Sequence, residues 1–332
     1  MTKNHASAVI LTALEGVRLS ADEKRCFEQY PPAGFTLFRR NISPYFSATR
    51  ELCDELQTLR GAVDLPLLLA IDQEGGRVAR LKAPFPDHGP AMNLAGGRTD
   101  GAALIEIENI AFAMGATLRQ LGINVDFAPV LDILTREENV AIGDRCFGRD
   151  RDSVTLRGGA FMRGLHHGGV MGCIKHFPGQ GDAGVDTHET GALITADRAV
   201  LDEREIYPFQ KLIPEAPMVM ISHAVYPALD SKRPASLSSA VMLDLLRGEL
   251  GFRGLIVSDD MNMKAIDQSR KPWCEAIIAS IAAGADMVLV CRELERYQWA
   301  VEAIHEEAAK SPAFASRLAD ANDRVVEIRN RL

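Results

Sequence analysis

Aromatic residues are scarce in this chain: they make up 6% of 332 residues, with only two tryptophans. No basic run and no stripe of alternating basic and aromatic residues is present, which argues against a nucleic-acid partner. The six cysteines (Cys26, Cys53, Cys146, Cys173, Cys274 and Cys291) are scattered without a CxxC pair. They read as reduced, structural thiols of a cytosolic protein. No apolar stretch approaches the length of a bilayer. The opening "MTKNHASAVILTALEG" has too short an apolar run for a secretory signal and no small-residue cleavage site. A cytoplasmic protein with no membrane contact is therefore expected. Also missing are a GxGxxG after the first apolar run, an internal repeat, a low-complexity segment and a linker, so one domain over 1–332 is expected.

What is present is ordinary for a folded protein: 47% hydrophobic, 25% charged, net charge −8. Short runs rich in Val, Ile and Leu recur near 7–13, 34–38, 66–71, 122–130, 169–174, 217–221, 254–258 and 286–290. They are apolar at nearly every position, as strands buried on both faces are. Helical spacing marks 47–60, 102–122, 239–250 and 273–284, and about 294–331 reads as two further helices. Ser239 suits an N-cap, and Gly251 and Gly284 suit helix stops. Eight strands alternating with helices predict a single-domain α/β fold, the (β/α)₈ TIM barrel. Segments entering strands are short ("QLG", "HHG", "GFRG"). Those leaving strands three to seven are long, so chemistry is expected at the C-terminal ends of the strands.

The conspicuous polar residues fall just past those ends. They are Arg39, Arg40 and Asn41; Asp72, Gln73, Glu74, Arg77 and Arg80; Asp126 and Asp132; Asp144 and Arg145; Lys175, His176, Asp186 and His188; Ser222 and His223; and Asp259, Asp260 and Asn262. Singly, many read as loop braces, and Asp126 reads as a satisfied core group. Together they suit a polyhydroxyl ligand, because carboxylate, guanidinium and ammonium groups fork hydrogen bonds to neighbouring hydroxyls. The loop "KHFPGQGDAGVDTHE" (175–189) has three readings: metal site, self-satisfied loop, or acid/base site. No HExxH helix is present, and Lys175 beside His176 opposes a cation. The acid/base reading fits the spacing best. Asp186 and His188 are two apart, so in extended chain both project to one side and the carboxylate tunes the imidazole. A carboxylate at the tip of strand seven would complete the pair that retaining glycoside hydrolysis needs. Spacing alone does not separate Asp259 from Asp260.

The segments "AIDQEGGRVAR", "DFAPVLDI", "DRCFG", "KHFPGQG…DTH", "ISHAVYPALD", "PASLS" and "VSDDMNMKAI" resemble the β-N-acetylhexosaminidases of glycoside hydrolase family 3. The match is to the single-domain bacterial type of cytosolic cell-wall recycling, over about residues 8–291. The resemblance implies Asp259 as nucleophile, His188 as general acid/base and Asp186 as its partner. It implies that Asp72, Arg80, Arg145, Lys175 and His176 hold N-acetylglucosamine. It also implies no metal or cofactor, a monomer, and a carbohydrate substrate drawn from peptidoglycan. Departures are Gln180 where the family commonly has His, "DTH" for "DSH", and Cys146 for Ser. The alternatives are a family 3 β-glucosidase, a phosphorylase in which phosphate replaces water, a non-catalytic muropeptide sensor and a metal-dependent hydrolase.

Overall fold

The computed structural model describes residues 2–61, 64–184 and 192–332. All eight apolar runs become strands: β1 (Ile10–Thr12), β2 (Gly34–Leu37), β3 (Leu68–Ile71), β4 (Val125–Asp126), β5 (Met171–Phe177), β6 (Met218–Ile221), β7 (Leu255–Asp260) and β8 (Met287–Val290). They close into a barrel, each parallel to its sequence neighbour, with β8 paired to β1. The expected (β/α)₈ TIM barrel is the observed fold.

The continuous apolar runs have a simple cause. Alternate residues such as Leu68, Ala70, Val125, Cys173, Val257 and Met287 fill the barrel interior. The residues between them, such as Leu69, Ile71, Ile174, Ile256 and Val288, pack outward against the helices. Both faces are dry, so period two does not show as polarity.

Among the described residues, besides a short turn of helix at Lys3–Ser7 and another at 198–205, the helices are α1 (Ala21–Gln29), α2 (Phe46–Gln57), α3 (Gly101–Gln120), α4 (Arg151–His167), α5 (Tyr207–Leu212), α6 (Ala240–Glu249), α7 (Arg270–Ala282), α8 (Leu294–Lys310) and α9 (Pro312–Arg329). α3 corrects one expectation: by length and composition it is apolar enough to cross a bilayer. Here its inner face is covered by α4. A Cβ on Gly164 would lie 2.3 Å from the Glu108 carbonyl oxygen, and one on Gly168 2.7 Å from that of Phe112. Only hydrogen-sized side chains allow that approach.

Ser239 is another correction. Its φ and ψ of −66° and −32° are already helical, and Ser238 Oγ accepts from Val241 N instead. Gly251 and Gly284 do stop their helices at φ of +69° and +126°. β4 is much shorter than 122–130. After Phe127 N donates to Ile71 O, Pro129 has no N–H to continue the ladder. Only the β5 side goes on, through Ala128 O, Pro129 O and the Val130–Lys175 bridge.

The buried Arg157 ties the long loops together. It donates to the carbonyls of Ala91, Met92 and Leu94 after β3 and of Phe147 after β4. Asp286 does the same at the opposite end, accepting from Arg247, Arg317 and Arg324 and so fastening α6 and α9 to the entry of β8. All six cysteines are free thiols.

Candidate active site

A cavity of about 330 Å³ opens at the C-terminal ends of the strands. Asp72, Arg80, Arg145, Lys175, His176 and Asp259 all line it. These six expected site residues, spread over almost 190 positions of sequence, therefore meet in one place. Asp186 and His188, the expected acid/base pair, lie outside the described residues.

Two strand irregularities shape this mouth. On β5, Ile174 pairs with Val219 and Phe177 with Ile221, three steps against two. On β7, Val257 pairs with Met287 and Asp260 with Leu289, again three against two. Each extra residue is a bulge, which breaks the alternation and re-aims side chains. As a result the consecutive pairs Lys175–His176 and Asp259–Asp260 all line the cavity. Both pairs also belong to strands rather than loops, since β5 and β7 run past the ends expected at 174 and 258.

The charged groups form a chain. Lys175 Nζ, 2% exposed, lies 2.8 Å from Asp72 Oδ1 and 2.6 Å from Glu74 Oε1. Arg80 takes the other Asp72 oxygen at 2.8 Å. Arg145 holds Glu74 with two bonds, Nε to Oε2 at 2.8 Å and an Nη to Oε1 at 2.9 Å. Burial alone would raise the Asp72 and Glu74 carboxyls, but Lys175 and the arginines outweigh it and hold both well below the usual carboxylate range. Burial likewise opposes the Lys175 ammonium, and Asp72 and Glu74 overcome it, so the lysine stays charged. Glu74 is conspicuous in the sequence, but neither its spacing nor the family resemblance assigns it to the site. Its importance arises because the hairpin pairing Gln73–Gly75 with Val78–Ala79 folds it back under Lys175.

His176 is set by Asp132, whose Oδ2 is 2.6 Å from Nδ1 and whose Oδ1 accepts from Gln180 N. Asp132 is fully buried, so it acts as the support that leaves the other ring nitrogen for a ligand. Gln180, in the position where the family commonly has His, lines the cavity and accepts from Ser222 Oγ at 3.0 Å.

The two acids of β7 differ in their partners. Asp259 accepts one bond, from Asp260 N to Oδ1 at 2.7 Å. Its other oxygen has no hydrogen bond among the described residues. Asp260 Oδ1 is taken by Asn262 N and Cys291 N, and burial, reinforced by Asp259, pushes its pKa up to about 6. Among the described residues each acid thus keeps one oxygen without a hydrogen bond; what separates them is that Asp260 is anchored through Oδ1 to two backbone N–H groups, whereas Asp259 is held only by the adjacent Asp260 N–H.

The brace reading holds elsewhere. Arg77 spans Asp144 and the carbonyls of Val140, Ala141 and Ile142. Arg40 and Asn41 hold the Leu14 carbonyl, and Asp182 is clasped by Arg136 and Arg204. Asp126 departs from its expected role. One oxygen accepts from Gln73 N, the other has no partner, and burial lifts its pKa to about 8. It is a neutral acid beneath the ion-pair chain, not a fully satisfied polar group. His223, to which the sequence alone assigns no role, stands in the cavity wall.

Residues 8–328 match the N-terminal domain of glycosyl hydrolase family 3. A beta-hexosaminidase of Stenotrophomonas maltophilia is 36% identical over 289 residues, covering 85% of this chain and 83% of that protein. Beta-hexosaminidase LpqI of Mycobacterium tuberculosis is 35% identical, covering 82% of this chain and 70% of its own. Among solved structures, a family 3 β-N-acetylglucosaminidase from Paenibacillus superposes at a TM-score of 0.92 with 33% identity. This chain is covered completely but spans only 62% of that longer one. The β-N-acetylhexosaminidase of Beutenbergia cavernae superposes at 0.89 with 28% identity, 99% of each chain covered. The barrel, the charged mouth at its C-terminal end and the near-complete match together mean that this chain belongs to glycosyl hydrolase family 3.

Proposed function

We propose that the protein is a retaining exo-β-N-acetylglucosaminidase that removes non-reducing terminal N-acetylglucosamine from peptidoglycan-derived muropeptides, acting as a monomer in the cytoplasm. The observation that carries the reading is the meeting, on one cavity, of Asp259, held among the described residues only by the adjacent Asp260 N–H, with the chain Arg80–Asp72–Lys175–Glu74–Arg145. Forked charged donors and acceptors suit vicinal sugar hydroxyls, and the carboxylate suits the anomeric carbon. A cavity near 330 Å³ lies at the small end of ligand pockets, which favours one sugar ring and hence exo action.

In the first step an Asp259 oxygen attacks the anomeric carbon. The glycosidic C–O bond breaks, and His188 as imidazolium gives its proton to the departing oxygen. In the second step the neutral His188, oriented by Asp186, takes a proton from water. That water attacks the same carbon, the bond to Asp259 breaks, and the β configuration is retained. Asp72, Arg80, Arg145, Lys175 and His176 hold the sugar through both steps.

Turnover of an aryl N-acetyl-β-glucosaminide, compared with the aryl β-glucoside, tests the reading. Asp259→Asn is expected to lower kcat by about 10³-fold or more. His188→Ala should spare substrates with good leaving groups far more than natural muropeptides, because a stable phenolate needs little protonation. An active Asp259→Asn variant, or a preference for the glucoside, would defeat the assignment.

A further inference from the structure

His223, just past β6, is 4% exposed and stands in the wall of the sugar cavity. Its contacts fix its chemical state. Nε2 lies 3.1 Å from the Asp260 carbonyl oxygen. That oxygen can only accept, so Nε2 carries the proton. Nδ1 lies 2.6 Å from Ser236 Oγ. In a neutral ring Nδ1 is the acceptor, and the Ser236 hydroxyl donates. Burial lowers the imidazole's pKa, against the pull of nearby Asp259, so the ring is neutral. Ser236 is itself placed by its backbone N–H to Ser222 O at 3.0 Å.

What this imidazole grips is the weak point of β7. The bulge between Val257 and Asp260 removes regular ladder bonds to β8 where the nucleophile must be aimed. Substitutes fill in on the β8 side: Leu289 N donates to Ser258 Oγ, and Met261 N to Leu289 O. Asp260 is the node between these contacts. Its N–H donates to Asp259 Oδ1, and its carboxylate takes Asn262 N and Cys291 N. The His223 bond reaches this node from the opposite neighbour, the loop after β6.

We infer that His223 is a positioning residue for the nucleophile: with Ser236 fixing its tautomer, its Nε2–H clamps the Asp260 carbonyl and holds the β7 bulge so that the Asp259 carboxylate faces the anomeric carbon. The inference rests on the assignment of Asp259 above. Uncharged, the ring steadies the carboxylate's neighbour without forming an ion pair with the carboxylate itself.

The test uses the full chain, an aryl N-acetyl-β-glucosaminide, steady-state kinetics and thermal melting. His223→Leu is expected to lower kcat by about 100-fold with KM changed by less than about threefold, the signature of a misaimed rather than an empty site. His223→Gln, whose amide nitrogen reaches the Nε2 place, should recover about tenfold of that loss. Ser236→Ala should lower kcat by about tenfold and leave KM in place. If His223→Leu does not fold, Ser236→Ala and His223→Gln decide. Folded variants with wild-type kcat, or a loss confined to KM, or no advantage of Gln over Leu, would each overturn the inference. Asp259→Asn run in parallel separates the two ideas: an active Asp259→Asn sinks the nucleophile assignment. An inactive one beside normal His223 and Ser236 variants sinks the clamp alone.

Discussion

Lys175 carries its charge in a place that would ordinarily remove it. A buried ammonium loses its hydration, and only close, well-oriented carboxylates restore it. Asp72 and Glu74 do so at 2.8 and 2.6 Å, and Glu74 in turn depends on Arg145. Glu74→Gln keeps the shape but leaves two buried cations under-compensated. Breaking such a pair costs roughly 3–5 kcal/mol, far above the value of an exposed ion pair. Denaturant titration should register that loss, and KM should rise because Lys175 and Arg145 are no longer held at the cavity where the sugar is proposed to bind. Unchanged stability and KM would remove Glu74 from the support of the site. "DQEGG" displayed Glu74 as plainly as Asp72. Its partners come from β5 and from the turn at 143–145, and pairing across such separations is not written in local spacing.

Helices α3 and α4 show how one atom decides an element's place. Gly→Ala within a helix normally gains about 1 kcal/mol in propensity. At Gly164 the new methyl would stand 2.3 Å from the Glu108 carbonyl oxygen and 2.6 Å from Ala111 Cβ. Backbone of the neighbouring helix cannot yield without moving all of α3, and overpacking of this kind costs about 1–3 kcal/mol. Gly164→Ala should therefore lower Tm. Gly159→Ala, five residues earlier on α4, meets a Leu212 methyl at 3.0 Å and the end of the flexible Arg163 side chain at 3.4 Å. Both can swing aside, so melting should be unchanged or slightly raised. Equal effects at the two positions would contradict the close-approach argument. The bulges of β5 and β7 make the same point for strands. Apolar runs locate both strands, but the runs end at 174 and 258, and the polar pairs that follow carry no local sign of strand. The extra residue in each strand shows only in the register with β6 and β8.

Buried acids with opposite biases set the acid–base profile of the molecule. Asp72 and Glu74 are held below their usual pKa. Their contribution to stability is present above the unfolded carboxylate range, near pH 4, and is lost as pH falls from there through the depressed folded values. Asp126 and Asp260 are raised, to about 8 and about 6. Their contribution is present below about pH 4 and is lost as pH rises through those folded values. Stability should therefore be greatest in mildly acidic solution and decline towards pH 9. Asp126→Asn keeps an oxygen for Gln73 N but cannot ionise. It should flatten the decline between pH 6 and 9 in thermal melts while leaving the acid limb in place. A variant whose melting curve still falls with the wild-type slope over that range would show that Asp126 is not the group responsible.

The amino-acid sequence by itself determined the barrel, because strands buried on both faces must be apolar throughout and chemistry then has only the strand ends to occupy. It also supplied the inventory of the mouth, down to Asp72, Arg80, Arg145, Lys175, His176 and Asp259. Only the tertiary structure decided how those groups divide their work. Which of two adjacent acids is anchored across to β8, which glutamate holds the buried lysine, and which histidine bonds the strand tip all depend on hydrogen bonds between distant segments. Such bonds are fixed by the closure of the barrel and by two single-residue shifts in register, and neither leaves a local mark in the chain.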